Sequence, residues 1–114
     1  MFARGDIVLV SFPFTDFSGR KVRPAVVLNE VGDDVLIAFI SSSVPPTSVA
    51  DTDFVLPATH PDFPATGLKT ASVFKLAKLL CLHQSLILRK LGRVSAVIQR
   101  EIDVRLMRAV GLSA

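Results

Sequence analysis

Three short runs rich in β-branched and aromatic residues, at 7–12 (IVLVSF), 24–29 (PAVVLN) and 35–41 (VLIAFIS), are separated by clusters of Asp, Gly and Ser. Residues of this kind suit a pleated, half-buried surface, and the polar punctuation between them predicts strands of an antiparallel sheet or small barrel. Gly32 and Asp33, with Asp34 behind them, predict a tight turn between the second and third runs. The chain up to residue 41 therefore reads as a β-meander.

The texture then changes. Between 42 and 70 lie five of the seven prolines, Pro45, Pro46, Pro57, Pro61 and Pro64, which predicts a long loop with one short strand at Phe54–Leu56. In SVFKLAKLLCLH, residues 72–83, Phe74, Leu76, Leu80 and Leu82 recur at period two with Lys78 as the exception. This pattern predicts a fifth strand, with a helix as the competing reading. Beyond Gly92, Ser95 is a good N-cap, Ile98, Ile102, Leu106 and Val110 form one helical stripe, and Gly111 is a stop. The expected helix carries Arg100, Glu101, Arg105 and Arg108 on its other side, read as a solvated face with Glu101 paired to Arg105 one turn on.

With 114 residues the chain is expected to form one domain, 1–114, with a real core and modest reserve. Half the residues are apolar and a fifth charged, too hydrophobic for a disordered chain, and no apolar run nears the ~18 residues of a membrane span. Asp6 precedes any useful apolar segment, unlike the order of a signal peptide, so a cytoplasmic location is expected. One cysteine, Cys81, leaves no internal disulfide, and with two isolated histidines it implies no metal site and no cofactor. Thirteen Lys and Arg against ten Asp and Glu give +3 and a pI near 9.5, a bias that suits a phosphate backbone or an acidic protein partner.

The stretches RGDIVLVSFPFTDFSGRKVRPAVVL, LIAFISSS and SVFKLAKLLCLHQSLILRKLGRVS carry a recognisable order. Gly-Asp precedes a strand, Arg-Pro opens the next, a hydroxyl residue ends the third, and Leu-Gly-Arg leads into the last helix. Over nearly the whole chain this order resembles the PemK-like branch of the MazF/PemK family of bacterial toxin endoribonucleases. The resemblance implies a mainly β fold, an SH3-like small barrel of the CcdB/MazF/PemK type with a C-terminal helix, and a two-fold homodimer. It further implies metal-independent cleavage of single-stranded RNA and restraint by a cognate acidic antitoxin.

RNA cleaves itself when a 2′-hydroxyl attacks the adjacent phosphorus in line. A group must accept the hydroxyl proton, another must stabilise the extra phosphoryl charge, and a third must protonate the leaving 5′-oxygen. Arg23 presents a rigid fork of donors matched to phosphate oxygens, and the fixed φ of Pro24 holds its base at a strand opening. Arg23 is thus the first catalytic candidate, with charge stabilisation as its role because a guanidinium is a poor base at neutral pH. The threonine that the family has at the end of the third strand is matched here by Ser41; Ser42 is its alternative, since strand neighbours face opposite ways.

The Gln-x-Arg-Thr cluster of MazF-like members is replaced by Lys78-Leu79-Leu80-Cys81. Arg20 and Lys21 are candidates for RNA contact, Asp16 for orienting Arg23 or accepting the 2′-hydroxyl proton, and Phe12, Phe14 and Phe17 for base stacking, two of them more simply core. His60 and His83 are candidate proton donors to the 5′-oxygen, though a non-catalytic role explains each as well. A non-enzymatic module on the same barrel, such as a CcdB-like gyrase poison, is the alternative function.

Overall fold

A computed structural model describes residues 1–13, 20–45 and 49–112. Six strands run in chain order as β1 (Asp6–Pro13), β2 (Arg20–Val31), β3 (Asp34–Ser41), β4 (Asp53–Leu56), β5 (Ser72–His83) and β6 (Ile87–Arg93), followed by the helix α1 (Ala96–Ala109). They form one sheet of order β4-β5-β3-β2-β1-β6, antiparallel at every pairing. The meander is as expected, and Gly32 makes its turn with φ of +62°, a conformation that favours glycine. β6 was not anticipated: in ILRKLGR only Ile87 is buried, so the run lacks a clear alternation.

Two clusters of buried side chains lie on the two faces. One contains Val26, Leu28, Ala38, Ile40, Phe54, Phe74 and Leu76 from the strands, and Ile98 and Ile102 of α1 close over it. The other is built from strand residues alone, among them Val8, Val10, Ala25, Val27, Val35, Ile37, Leu82 and Ile87. A face buried without a covering helix requires the sheet to coil onto itself, which gives the barrel-like form. Register shifts in the β1–β6, β2–β3 and β3–β5 ladders supply the bends.

The largest shift explains the odd pattern of the fifth strand. Ala38 pairs with Leu79 but Phe39 with Lys75, so three residues, 76–78, are looped out. An odd insertion reverses which face each side chain takes. Phe74 and Leu76 accordingly belong to the helix-covered cluster, whereas Leu82 belongs to the other, and Leu80 is left 39% exposed. The period-two pattern thus identifies the strand but merges two phases.

The helix begins as expected: Ser95 Oγ accepts the Ile98 amide at 3.2 Å, and Gly111 follows the end. Glu101 and Arg105 pair at 2.6 Å. The face they share is not simply solvated, however. Arg105 Nε donates to the Asp53 carbonyl at 2.8 Å, its guanidinium lies 5.1 Å above the Phe54 ring, and Arg108 donates to the Asp51 carbonyl at 3.1 Å. These arginines fasten α1 to β4, because a planar guanidinium can serve an aromatic face and carbonyls together. No helix among the described residues is long and apolar enough to cross a membrane.

Candidate functional site

Arg23 and Ser41 come together through strand register. Ala25 pairs with Phe39, Val26 with Ala38 and Val27 with Ile37. The ladder ends at Ala25 and Phe39, and Arg23 and Ser41 each lie two residues beyond that pair, on the face that carries Phe39 and Phe12. On the other side of Arg23 stands Val10, and beyond Ser41 stands Val73. Both residues line a cleft of about 940 Å³.

The lining of this cleft is chemically one-sided. β2 supplies Lys21 and Arg23, β5 supplies Lys75 and Lys78, β6 supplies Arg89, and the segment before β5 supplies Lys69. Hydroxyls come from Ser41, Ser42, Ser43, Thr70 and Ser72, and apolar surface from Leu9, Phe12, Phe39 and Leu91. No carboxylate and no imidazole is among the described lining residues. Six cations sharing a concave wall raise the local concentration of a polyanion. Phe12 is 6% exposed and stacks on Phe39 at 4.8 Å, which makes it the floor of the cleft and part of the core, with no room to slide a base alongside.

The hydroxyls differ in their freedom. Ser41 is half-buried and its Oγ accepts the Ser43 amide at 3.1 Å, which orients the side chain. An oxygen held in this way can still donate its proton to a phosphate oxygen. Ser42 is exposed and lines the same cleft.

Other expected residues fall elsewhere. His60 Nδ1 accepts the Asp62 amide at 3.0 Å, and His83 Nδ1 accepts the Ser85 amide at 3.1 Å and lies 2.8 Å from the Ser85 hydroxyl. Each histidine holds a turn of its own, and neither is among the described residues that line the cleft. Asp16, Phe14 and Phe17 lie outside the described residues, as does the side chain of Arg20. Sequence reasoning missed Lys69, Lys75 and Arg89 and saw Lys78 only as an irregularity. The signal was there in β5, where Lys75 and Lys78 interrupt an otherwise apolar strand.

The other two cations of β6, Lys90 and Arg93, have a different employment. Asp6 is buried at the start of β1; its Oδ1 lies 2.7 Å from Arg93 Nη1 and 3.2 Å from Lys90 Nζ, and its Oδ2 accepts the Ala3 amide at 2.9 Å. Burial pushes the carboxyl upward, but the Ala3 amide and the Lys90 and Arg93 cations outweigh it and hold Asp6 below its ordinary value. Gly5 adds main-chain bonds on both sides, its amide to the Val27 carbonyl at 2.8 Å and its carbonyl to the Val94 amide at 2.9 Å. The Gly-Asp and Leu-Gly-Arg motifs are thus two halves of one clasp between β1 and β6. Among the described residues no group of three or more His, Cys, Asp or Glu side chains is gathered in a metal-holding arrangement.

The fold is shared with solved structures over nearly its whole length. A MazE–MazF complex from Deinococcus radiodurans superposes with a TM-score of 0.75 at 20% identity, covering 98% of this chain and 97% of that one. An endoribonuclease in complex with its cognate antitoxin from a Mycobacterial species gives 0.72 at 17% identity, covering 100% and 99%. The Mycobacterium tuberculosis toxin MazF-mt6 gives 0.69 at 17% identity, covering 94% and 99%. Among curated proteins none matches by sequence. Residues 3–110 match the family model described as PemK-like, MazF-like toxin of type II toxin-antitoxin system, a span that takes in the β1–β6 clasp, the cationic cleft and the capping helix, and the chain belongs to that family.

Proposed function

We propose that this toxin is a metal-independent endoribonuclease that cuts single-stranded RNA in the cleft between β2, β3 and β5. The observation that carries the reading is the lining itself: six cations and a row of hydroxyls, with no carboxylate among the described lining residues, around the pair Arg23 and Ser41. The solved relatives of this fold include proteins named as endoribonucleases, one of them bound to its cognate antitoxin.

In the reaction the 2′-oxygen forms a bond to the adjacent phosphorus as the bond to the 5′-oxygen breaks. The products are a 2′,3′-cyclic phosphate and a 5′-hydroxyl end. Arg23 stabilises the charge that accumulates on the non-bridging oxygens, and Ser41 donates to one of them or orients the 2′-hydroxyl. The alternative hydroxyl is Ser42. Arg20 and Lys21 attract the strand toward Arg23. Asp16, the one carboxylate of the connector leading to Arg20, orients Arg23 or accepts the 2′-hydroxyl proton.

The chain acts as one unit, 1–114, as a homodimer, in the cytoplasm where mRNA is found. Its restraint comes from an antitoxin with an acidic, apolar segment, which competes for the same cationic cleft. The deciding experiment incubates purified protein with a long RNA in EDTA and maps the ends. New 5′-hydroxyl ends at discrete positions are expected. Intact RNA, with trapped gyrase–DNA complexes in a parallel assay that contains magnesium, would instead establish the gyrase-poison reading.

A further inference from the structure

Gly67 and Gly92 press two backbones together at the edge of the cleft. A Cβ on Gly67 would stand 2.0 Å from the Leu91 carbonyl oxygen, and one on Gly92 would stand 2.4 Å from the Ala65 oxygen and 2.4 Å from the Thr66 carbonyl carbon. Those obstacles are main-chain atoms, which cannot swing aside as a flexible side chain does. Gly67 also has φ of +73°, whereas Gly92 does not have a positive φ, so at Gly92 space alone forbids a larger residue.

The segment is held from behind as well. Phe63 is buried in the core and Thr66 is fully buried. The Thr66 hydroxyl donates to the Phe63 carbonyl at 2.7 Å and accepts the Leu68 amide at 3.2 Å. Leu68 and Leu91 both pack against the helix-covered cluster. Immediately after this pinned turn comes Lys69, exposed and lining the cleft, and three residues before Gly92 comes Arg89, exposed and lining it too.

We propose that the segment 67–70, seated on β6 by the close approach of Gly67 to Leu91 and of Gly92 to Ala65 and Thr66, is a phosphate-binding wall, in which Lys69 and Arg89 hold a backbone phosphate flanking the one at Arg23. The proposal rests on the reading of the cleft as an RNA site. A lysine on a loose loop loses loop freedom as well as side-chain freedom when it grips a phosphate; the flush backbone contact removes the first loss in advance. Gly92 is then a positioning residue that acts through Lys69.

The test measures binding of a 2′-O-methyl oligoribonucleotide, which lacks the attacking hydroxyl, by fluorescence anisotropy at several salt concentrations. For Lys69→Ala the slope of log affinity against log salt should fall by about 0.7, the share of one phosphate contact to a single strand, with affinity about fivefold weaker near 0.1 M salt. Arg100→Ala, on the helix away from the cleft, should change neither. Gly92→Ala should weaken binding similarly, and combining it with Lys69→Ala should add little, because the two act as one unit. An unchanged slope for Lys69→Ala overturns the wall, whether or not Gly92→Ala folds. Additive losses in the double variant overturn the positioning role of Gly92. If the unsubstituted protein does not bind the oligonucleotide at all, the RNA reading falls and the wall with it, an outcome distinct from normal binding with an indifferent Lys69.

Discussion

Asp6 opens β1, whereas Arg23 lies inside β2, which begins at Arg20 and so earlier than the Arg-Pro pair suggested, and the structure gives the two charges opposite tasks. Arg23 is exposed in a cleft with no carboxylate among its described lining residues, and its donors face that cleft. If it stabilises the charge that develops during cleavage, Arg23→Ala should lower the cleavage rate about a hundredfold or more while RNA affinity falls far less. Single-turnover rates beside equilibrium binding will check this, and equal losses in both would reduce Arg23 to a docking group. At Ser41, alanine should slow cleavage and threonine should preserve it, since the β-methyl restricts χ1 without removing the hydroxyl. An unaffected Ser41→Ala variant moves the role to Ser42. Asp6, by contrast, is a buried structural anion. Because its folded value is depressed, its contribution is complete above the ordinary carboxylate value of 3.8 and is lost as pH falls through the lower folded value. Asp6→Asn should therefore cost about 2 kcal/mol near neutral pH, the scale of hydrogen bonds to a charged group, and should flatten the acid limb of stability. Urea unfolding from pH 7 down to 3 will show it; an acid limb identical to that of the unsubstituted protein would mean that other carboxylates govern acid unfolding.

Among the elements, β5 and α1 show where a local pattern meets its tertiary setting. The period-two run in 72–83 was legible as a strand, but the insertion at 76–78 was not, because a bulge is set by how β3 and β4 share the strand. Phe39 and Asp53 both pair with Lys75, and the Leu76 amide turns to the Thr52 carbonyl at 3.1 Å. The helix was legible from its cap and stripe, although the stripe weakens along its length: Ile98 and Ile102 are fully buried, Leu106 partly, and Val110 is 49% exposed. What compensates at that end is the arginine fastening to β4. Arg105→Ala should cost about 1–2 kcal/mol, because it removes a charged hydrogen bond and a cation–π interaction together, whereas Arg100→Ala should fall within about 0.5 kcal/mol of neutral. Denaturant midpoints at constant slope will measure both.

At the scale of the whole molecule, the prediction concerns competition. A disordered antitoxin segment loses ordering entropy on binding and so needs a wide surface, while RNA relies more on released counterions. Raising salt should therefore weaken RNA binding more steeply than antitoxin binding. With an Arg23→Ala variant, addition of the protein encoded beside this gene should displace labelled RNA; a ternary complex holding RNA at full affinity would place inhibition elsewhere on the toxin. Light scattering should give twice the chain mass at micromolar concentration, and a monomer there would contradict the homodimer.

The β1–β3 meander, the short β4, β5 as a strand, the Gly32 turn and the helix with its Ser95 cap were determined by the sequence alone, because alternation, turn chemistry and capping act over a few neighbouring residues; β6 and the order of strands in the sheet were not. Arg23 and Ser41 were legible through the motif order, and their juxtaposition follows from a register that the Gly32 turn and the buried face of β2 and β3 together enforce. Four cations of the cleft were not legible. Lys69, Lys75, Lys78 and Arg89 come from three separate segments; Lys75 and Lys78 stand out only as interruptions of an apolar strand, and nothing local distinguishes Lys69 and Arg89 from Lys90, which serves the buried Asp6, or from Arg105, which serves β4. Which cation faces the cleft depends on a bulge phase, a buried carboxylate 84 positions away from Lys90 and two glycines that let the 65–67 and 91–92 backbones approach closely. Those are long-range conditions, and only the closed packing of the tertiary structure decides them.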